Sequence, residues 1–340
     1  MASNNDSPYI GIRDIARLAN VSTATVSRVI NHPEQTSPQI RARVQAVIDQ
    51  QHYVPNQTVK NLFARHSDSI ALFVSDISNP FYISLLQELN QLAFANKHTL
   101  LICNTSNDAQ KEQDYLDYCA AIRAKGIIIT EGYDFVSSVN NLHIPLVMLD
   151  RSGMNIWSSV QSDNFDSIFR AVNYLYNLNH RRIAFASPRV ESTGGFLSLY
   201  RRWDGYRNAM ESYGLFRPEY AYTQADALNV AAGINALNYF LSLPEPPTAI
   251  LCANDMVAHG ILLRAQELNI EIPQQLSVIG FDGISSPFFI KELTTIRQNI
   301  PAIAETLFKL CLQPPTSPQH ITIPTEFIPG QTCGFCRKKI

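Results

Sequence analysis

Two groups of polar and charged residues in this 340-residue chain are placed to recognise a partner. The first lies near the start, where Thr23, Ala24, Ser27 and Arg28 fall within one short stretch beside Ser22, Thr25 and Asn31. Hydroxyls, a methyl and a guanidinium at this spacing suit the base edges and phosphates of duplex DNA. The second group closes a series of apolar runs: Ser75-Asp76, Asp150-Arg151, Asp163-Asn164, Asn254-Asp255 and Asp282. A set of carboxylates, amides and guanidinium holds a polyhydroxylated ligand through paired hydrogen bonds to adjacent hydroxyls, each worth roughly 1.5–3 kcal/mol when buried and charge-assisted. Phe81, Tyr82 or Trp203 could pack on the apolar face of a sugar ring. Each aspartate also has a plainer reading, as a helix N-cap at a strand-to-helix turn, and Asp150, Asp163 and Asp255 are the most open to it.

The signatures of catalysis and metal binding are missing. There is no Gly-x-Ser-x-Gly elbow, no GxGxxG and no P-loop, and none of the eight histidines falls in a His-x-x-x-His or His-Glu-x-x-His pattern. Cys333-Gly-Phe-Cys336 stands beside Arg337, Lys338 and Lys339 without a second cysteine pair or a βαβ setting, and reads as reduced thiols in an untidy tail. No catalytic residue, metal ligand or cofactor is expected.

Helices must position the first group. Ile12, Ile15, Ala16 and Ala19 recur at i, i+3, i+4 and i+7, one face of a helix. Asn20 tolerates the left-handed turn that follows, Val21 plugs the gap, and Ser22 caps a second helix from Thr23 to Ile30 that turns Val26, Val29 and Ile30 inward. Ser37-Pro38 opens a third helix burying Ile40, Val44, Val47 and Ile48. Two short helices, a tight turn and a closing third make a helix-turn-helix. Tyr53-Val-Pro55-Asn56 stops the third helix. Gln57 to Arg65 is then polar apart from Val59, Leu62 and Phe63, a linker that could become helical in a complex and wedge Leu62 into a minor-groove step.

Strands must position the second group. Ser69–Ser75, His98–Asn104, Gly126–Thr130, Pro145–Asp150, Arg182–Ser187, Thr248–Asn254 and Leu276–Asp282 read as strands. Amphipathic segments such as Tyr82–Ala95 and Asp166–Leu178 alternate with them, which implies parallel sheets covered on both faces. Two Rossmann-like lobes with a cleft at the carboxyl ends of the strands would gather the polar residues.

The chain is too long for one compact core, and 46% hydrophobic with 16% charged residues is ordinary globular composition. A formal net charge of −2 conceals a split: residues 1–66 carry seven Lys/Arg against four acids, leaving 20 against 25 for the rest. The polar stretch Met1 to Pro8 is no signal peptide, and the longest apolar runs fall far short of a membrane span. A cytoplasmic protein with reduced cysteines and no membrane contact is expected.

The string Ile12-Arg-Asp-Ile-Ala-Arg-Leu-Ala-Asn-Val-Ser-Thr-Ala-Thr-Val-Ser-Arg-Val-Ile-Asn31, then Ser37-Pro-Gln-Ile-Arg-Ala-Arg-Val and Tyr53-Val-Pro-Asn56, resembles the LacI/GalR family of bacterial repressors. Asn79-Pro-Phe-Tyr82, Ala253-Asn-Asp-Met-Val-Ala258, Ser277-Val-Ile-Gly-Phe-Asp282, and Arg202 within Arg-Trp-Asp-Gly205-Tyr206 extend the likeness over about residues 10–330. Two positions depart: Gly11 replaces a helix-capping Thr that touches phosphate, and Asn20 replaces the usual turn glycine. The resemblance implies an all-α helix-turn-helix head at 9–56, a hinge at 57–67, and an α/β core at 68–340 with the two-lobed periplasmic-binding-protein-like fold. Lobe one would take 68–164 and 299–326, lobe two 165–298 and 327–340.

It implies a homodimer, or a tetramer, on a pseudo-palindromic double-stranded operator. Arg28, Thr23 and Ala24 would meet bases, while Ser22, Thr25, Ser27, Asn31, Tyr53, Asn56, Val59 and Leu62 complete the DNA-binding set. The effector, a sugar or sugar phosphate, would meet Ser75, Phe81, Tyr82, Asp150, Arg202, Trp203, Asn254 and Asp282; in relatives the equivalents of Arg202, Asn254 and Asp282 commonly grip it. Two alternatives stand beside this sugar-responsive repressor of a carbohydrate-utilisation operon. One is a global carbon regulator with a phosphoprotein corepressor, disfavoured because Ile303–Leu312 carries only Glu305 and Lys309 as charges. The other is a transporter's solute-binding protein, which would have a signal peptide and no helix-turn-helix.

Overall fold

The computed structural model describes residues 10–53, 67–130, 143–151, 156–188, 197–225, 227–284 and 292–336. The chain divides into two compact units, Met1–Ser67 and Asp68–Ile340.

In the first unit α1 spans Ile12–Leu18, α2 Thr23–Asn31 and α3 Pro38–Gln50. Asn20 takes φ +49° in the turn between α1 and α2, the left-handed conformation expected of it. Ser22 caps α2 by accepting from the Thr25 N–H at 3.1 Å, and Ser37 accepts from Ile40 N–H at the head of α3. Ile15, Ala16, Ala19, Val26, Val29 and Val44 form the core, with Val21, Ile30, Ile40, Val47 and Ile48 packed around it. Gly11 supplies no side-chain cap to α1; its own N–H instead donates to Asp14 Oδ2 at 3.1 Å.

The second unit holds two six-stranded sheets. Sheet one contains β1 (Ser69–Val74), β2 (Thr99–Asn104), β3 (Gly126–Ile129), β4 (Leu146–Leu149), β5 (Ser158–Ser162) and β11 (His320–Ile323), in the order β11-β5-β4-β3-β1-β2 and all parallel. Sheet two contains β6 (Ile183–Pro188), β7 (Ala221–Ala225), β8 (Ala249–Cys252), β9 (Ser277–Asp282), β10 (Thr294–Arg297) and β12 (Glu326–Ile328), in the order β12-β10-β9-β8-β6-β7, with only β12 antiparallel. The helices are α4 (Pro80–Ala95), α5 (Ala109–Ala121), α6 (Asn164–Asn177), α7 (Leu197–Ser212), α8 (Val230–Ser242), α9 (Asp255–Glu267) and α10 (Ile300–Leu312).

Each sheet is apolar on both faces, as a parallel sheet between helices requires. In sheet one, Ile70, Leu72, Val74, Ile128 and Val147 face α4 and α10, while Ala71, Phe73, Ile127, Ile129 and Met148 face α5. Each fully buried Leu, Ile or Phe contributes roughly 1.5–3 kcal/mol. In lobe two α8 and α9 meet at two glycines: a Cβ on Gly233 would lie 2.0 Å from the Val257 carbonyl oxygen, so only glycine lets the backbones approach.

All seven apolar runs are strands. Five further strands did not stand out in the sequence. Four of them, β5, β7, β11 and β12, are short, polar or lie at or next to a sheet edge, and β10 reads Thr-Thr-Ile-Arg. The chain crosses between sheets at Ser162–Asn164, at Gln298–Asn299 and at Pro324–Thr325. Glu326, expected in lobe one, already pairs with Arg297 in sheet two. The C-terminal segment is no untidy tail, for Thr332 Oγ1 donates to the Val278 carbonyl at 2.7 Å and Cys336 N–H to the Leu178 carbonyl at 2.9 Å.

Candidate functional site

On the first unit, Thr23, Ala24 and Arg28 share the exposed side of α2, opposite the buried Val26 and Val29. Around them the polar side chains are tied to their own helix. Ser22 Oγ lies 2.8 Å from Thr25 Oγ1, and Asn31 Nδ2 donates to the Ser27 carbonyl at 3.0 Å and to Ser27 Oγ at 3.3 Å. Tyr53 is half-buried and packs on the head core, where burial raises its hydroxyl above the usual tyrosine range. Its ring is a core element, a role its place in a helix-stop motif did not disclose. Asn56, Val59 and Leu62 lie outside the described residues.

On the second unit, the strand-end residues converge around one arginine. Arg202 projects from α7, Nε donating to Asn164 Oδ1 at 2.8 Å and Nη1 to the Ala253 carbonyl at 2.6 Å, while its guanidinium carbon stacks 3.6 Å over the Phe281 ring. Among the described residues Nη2 makes no hydrogen bond. Asp150 Oδ1 accepts from the Ser162 N–H at 3.3 Å and from Asn164 Nδ2 at 3.4 Å. Asp282 Oδ1 accepts from Gln298 Nε2 at 2.7 Å, and Gln298 Oε1 accepts from the Ser162 hydroxyl. Asp150 (φ +53°) and Asp282 (φ +119°) both end their strands in the left-handed half of backbone space, which breaks the strand alternation and redirects the side chain.

Two buried carboxylates therefore share one buried cation. Burial raises Asp150 above the normal aspartate range, with the Arg202 charge pulling the other way. Burial likewise pushes Asp282 up to about 7 against the pull of Arg202 and the Gln298 hydrogen bond. Asp255, almost wholly buried, is raised well above its usual value by burial and then by the Asp282 charge. The Thr130 and Ser187 hydroxyls, at the ends of β3 and β6, are buried without a hydrogen-bond partner among the described residues. Ala253, whose carbonyl Arg202 holds, gives its N–H to the Ala186 carbonyl at 2.8 Å, next in sequence to Ser187.

The other expected effector residues are placed differently. Ser75 donates to the Tyr82 hydroxyl at 3.3 Å at the end of β1, while Phe81 and Tyr82 belong to the lobe-one core, their rings edge to face at 5.4 Å. Trp203 is not in the cluster, since it packs among Phe185, Tyr206 and Phe216 in lobe two. Asn254 caps α9, Oδ1 accepting from the Val257 N–H at 2.9 Å and Nδ2 donating to the Leu228 carbonyl. The capping reading fails for all three aspartates. Asp163 binds Arg170 at 2.9 Å with no side-chain cap bond, and Asp150 joins the cluster. Asp255 turns inward to accept from Thr295 Oγ1 at 2.6 Å and Ile284 N–H at 2.7 Å. Ser162, Asn164, Ser187 and Gln298 were not singled out from the sequence, because nothing local distinguishes them.

Cys333 is buried and its thiol donates to the Val278 carbonyl at 3.3 Å, with burial raising its pKa to about 12. Such a thiol is a poor nucleophile and a poor metal ligand. Among the described residues no group of three or more His, Cys, Asp or Glu side chains stands together as a metal site, and no helix is long and apolar enough to cross a membrane.

Comparison with known proteins identifies both units. Residues 11–56 match the family described as bacterial regulatory proteins, lacI family, and residues 172–333 match a periplasmic binding protein-like domain. The chain is 30% identical over 326 residues to the HTH-type transcriptional repressor PurR of Erwinia tasmaniensis, covering 94% of each. The chain belongs to the LacI family. This LacI-family repressor shares its fold with the lac repressor dimer bound to operator and the anti-inducer ONPF (TM-score 0.82, 22% identity, 95% of this chain and 99% of that one). It shares it also with a LacI-family regulator from Enterococcus faecium with bound ribose (TM-score 0.70, 22% identity, 79% and 100%). The all-α helix-turn-helix head and the two-sheet α/β core expected from the sequence are those of a LacI-family DNA-binding transcriptional repressor.

Proposed function

We propose that this repressor controls a carbohydrate-utilisation operon and that a sugar or sugar phosphate in the core cleft sets its operator affinity. One observation carries the reading: the Arg202 charge acts on both Asp150 and Asp282 while one edge of its guanidinium is uncommitted among the described residues, and the Thr130 and Ser187 hydroxyls, without a partner among those residues, lie at the ends of β3 in sheet one and β6 in sheet two. Carboxylates, a guanidinium and hydroxyls at converging strand ends match the alternating donors and acceptors of a polyol. The fold accommodates such a ligand in the ribose-bound regulator.

In this reading two subunits pair through the core and place their α2 helices in successive major grooves of a pseudo-palindromic operator. Arg28 and Thr23 read base edges, Ala24 makes a methyl contact, and Ser22, Thr25 and Asn31 hold phosphate once released from the pairings that they make within α2. Residues 57–67 form the hinge, and Leu62 wedges the central step. An effector shifts operator affinity by its differential affinity for the two lobe arrangements.

A thermal-shift screen of sugars and sugar phosphates tests the ligand class. A stabilising sugar whose effect is lost in Asp282→Ala, with operator binding intact, is the expected result. Stabilisation by nitrogen heterocycles instead would keep the cleft and overturn the sugar.

A further inference from the structure

The two lobes are joined by three chain crossings, and side chains lace the crossings together. At the first, Ser162 gives its N–H to Asp150 Oδ1 at 3.3 Å and its hydroxyl to Gln298 Oε1. At the second, Gln298 is 3% exposed, and it holds Asp282 twice: Nε2 donates to Oδ1 at 2.7 Å and the backbone N–H to the carbonyl at 3.0 Å. The third is tied to the first by Asp163 N–H on the Ile323 carbonyl at 3.0 Å and by the Ser167–Thr325 hydroxyl pair.

The amide of Gln298 faces two demands of opposite sense, a carboxylate that needs a donor and a hydroxyl that needs an acceptor. An aliphatic side chain meets neither, and an ionised carboxylate meets only the second. Because both partners are buried, breaking either bond leaves an unsatisfied polar atom away from water. A change in the angle between the lobes has to bend the chain at these crossings, where all of these bonds converge.

We propose that Gln298 is a positioning residue: it pins the first and second crossings together and holds the cleft carboxylate Asp282 to that pin, so that the angle between the lobes and the place of Asp282 are set by one side chain. Its meaning for regulation rests on the effector reading of the cleft. An occupant that pulls on Asp282 pulls on the crossings through Gln298.

The test measures amide hydrogen exchange of the full chain, as protection factors, in segments 158–166 and 296–302, with β1 and β8 as references. Gln298→Leu is expected to lower protection in both segments by about tenfold or more while β1 and β8 keep theirs. Gln298→Glu supplies the reading that a merely space-filling role would not move. Near pH 5 its neutral acid can donate to Asp282 and accept from Ser162, so protection matches the wild type. Near pH 8 its carboxylate faces Asp282, with Asp150, Asp255 and the single guanidinium of Arg202 close by, so protection falls to that of the Leu variant. The wild type at both pH values is the reference for the titration of those groups themselves. Unchanged protection in Gln298→Leu, or a Glu variant whose protection relative to wild type is the same at both pH values, overturns the proposal. Should the Leu variant fail to fold, the two pH values of the Glu variant decide alone. No effector enters the measurement, so its failure leaves the ligand reading standing, and a failed sugar screen leaves this one standing.

Discussion

Replacing Asp282 by Asn should remove a pH dependence from the stability of the core. The carboxyl is buried, and burial lifts it from an ordinary 3.8 to about 7. Below 3.8 folded and unfolded chains both hold the proton, and stability is at its fullest. Between 3.8 and 7 the unfolded chain releases the proton while the folded one keeps it, so stability falls as pH rises, and above 7 the loss is complete. The interval, at about 1.36 kcal/mol per pH unit, amounts to something on the order of 4 kcal/mol.

Asn has the same shape, keeps an oxygen to accept from Gln298, and never ionises. The variant should match the wild type near pH 4 and exceed it increasingly up to pH 8. Denaturant unfolding followed by fluorescence of Trp157 and Trp203, one on each lobe, provides the assay. Asp150 and Asp255 are raised in the same direction, so the difference between the two proteins, not the wild-type slope, isolates position 282. Parallel stability curves for the two proteins across this range would show the opposite, that Arg202 keeps Asp282 ionised in spite of its burial.

Arg202→Met removes the cation that opposes burial at both Asp150 and Asp282, so the same unfolding experiment should show a steeper fall of stability with pH, and under the proposed function any stabilisation by a sugar should be lost. Arg28→Ala should weaken operator binding by about 1–3 kcal/mol in fluorescence anisotropy while binding to random duplex changes far less. An equal loss on both would assign Arg28 to phosphate. Gly233→Ala forces a Cβ to within 2.0 Å of the Val257 carbonyl, so α8 and α9 must part; a cost of about 1–3 kcal/mol or more is expected in denaturant unfolding.

The head was legible almost residue by residue because its determinants are local. Ser22 and Ser37 cap helices that start within three residues of them, and Asn20 turns the chain by its own φ. The strands of the core were legible where they are buried on both faces and hence continuously apolar, as in β1, β3, β4 and β9. They were hidden where the composition is polar, as in β5 and β11, whereas the edge strand β2, exposed along much of its length, was legible because it reads Thr-Leu-Leu-Ile-Cys-Asn.

Within the cleft the same division holds on a finer scale. Arg202 and Trp203 are neighbours in sequence, yet a helix turns about 100° per residue, which sends the guanidinium to the buried polar cluster at the strand ends and the indole into the aromatic core. Choosing between them required knowing which face of α7 meets β9, a tertiary fact. Asn254 and Asp255 form a similar pair, and α9 uses the amide as its cap and so frees the carboxylate to turn inward. Ser162 and Gln298 are further from reach, since their hydrogen bond joins residues 136 apart and neither position has a local pattern. What decides their role is that two chain crossings lie side by side, a consequence of the strand order β11-β5-β4 in one sheet and β12-β10-β9 in the other. The residues that hold the cleft carboxylates can thus be found only after the topology is known, whereas the carboxylates themselves can be found from the strand ends. A screen confined to sequence motifs would therefore mutate Asp282 and pass over the glutamine that positions it.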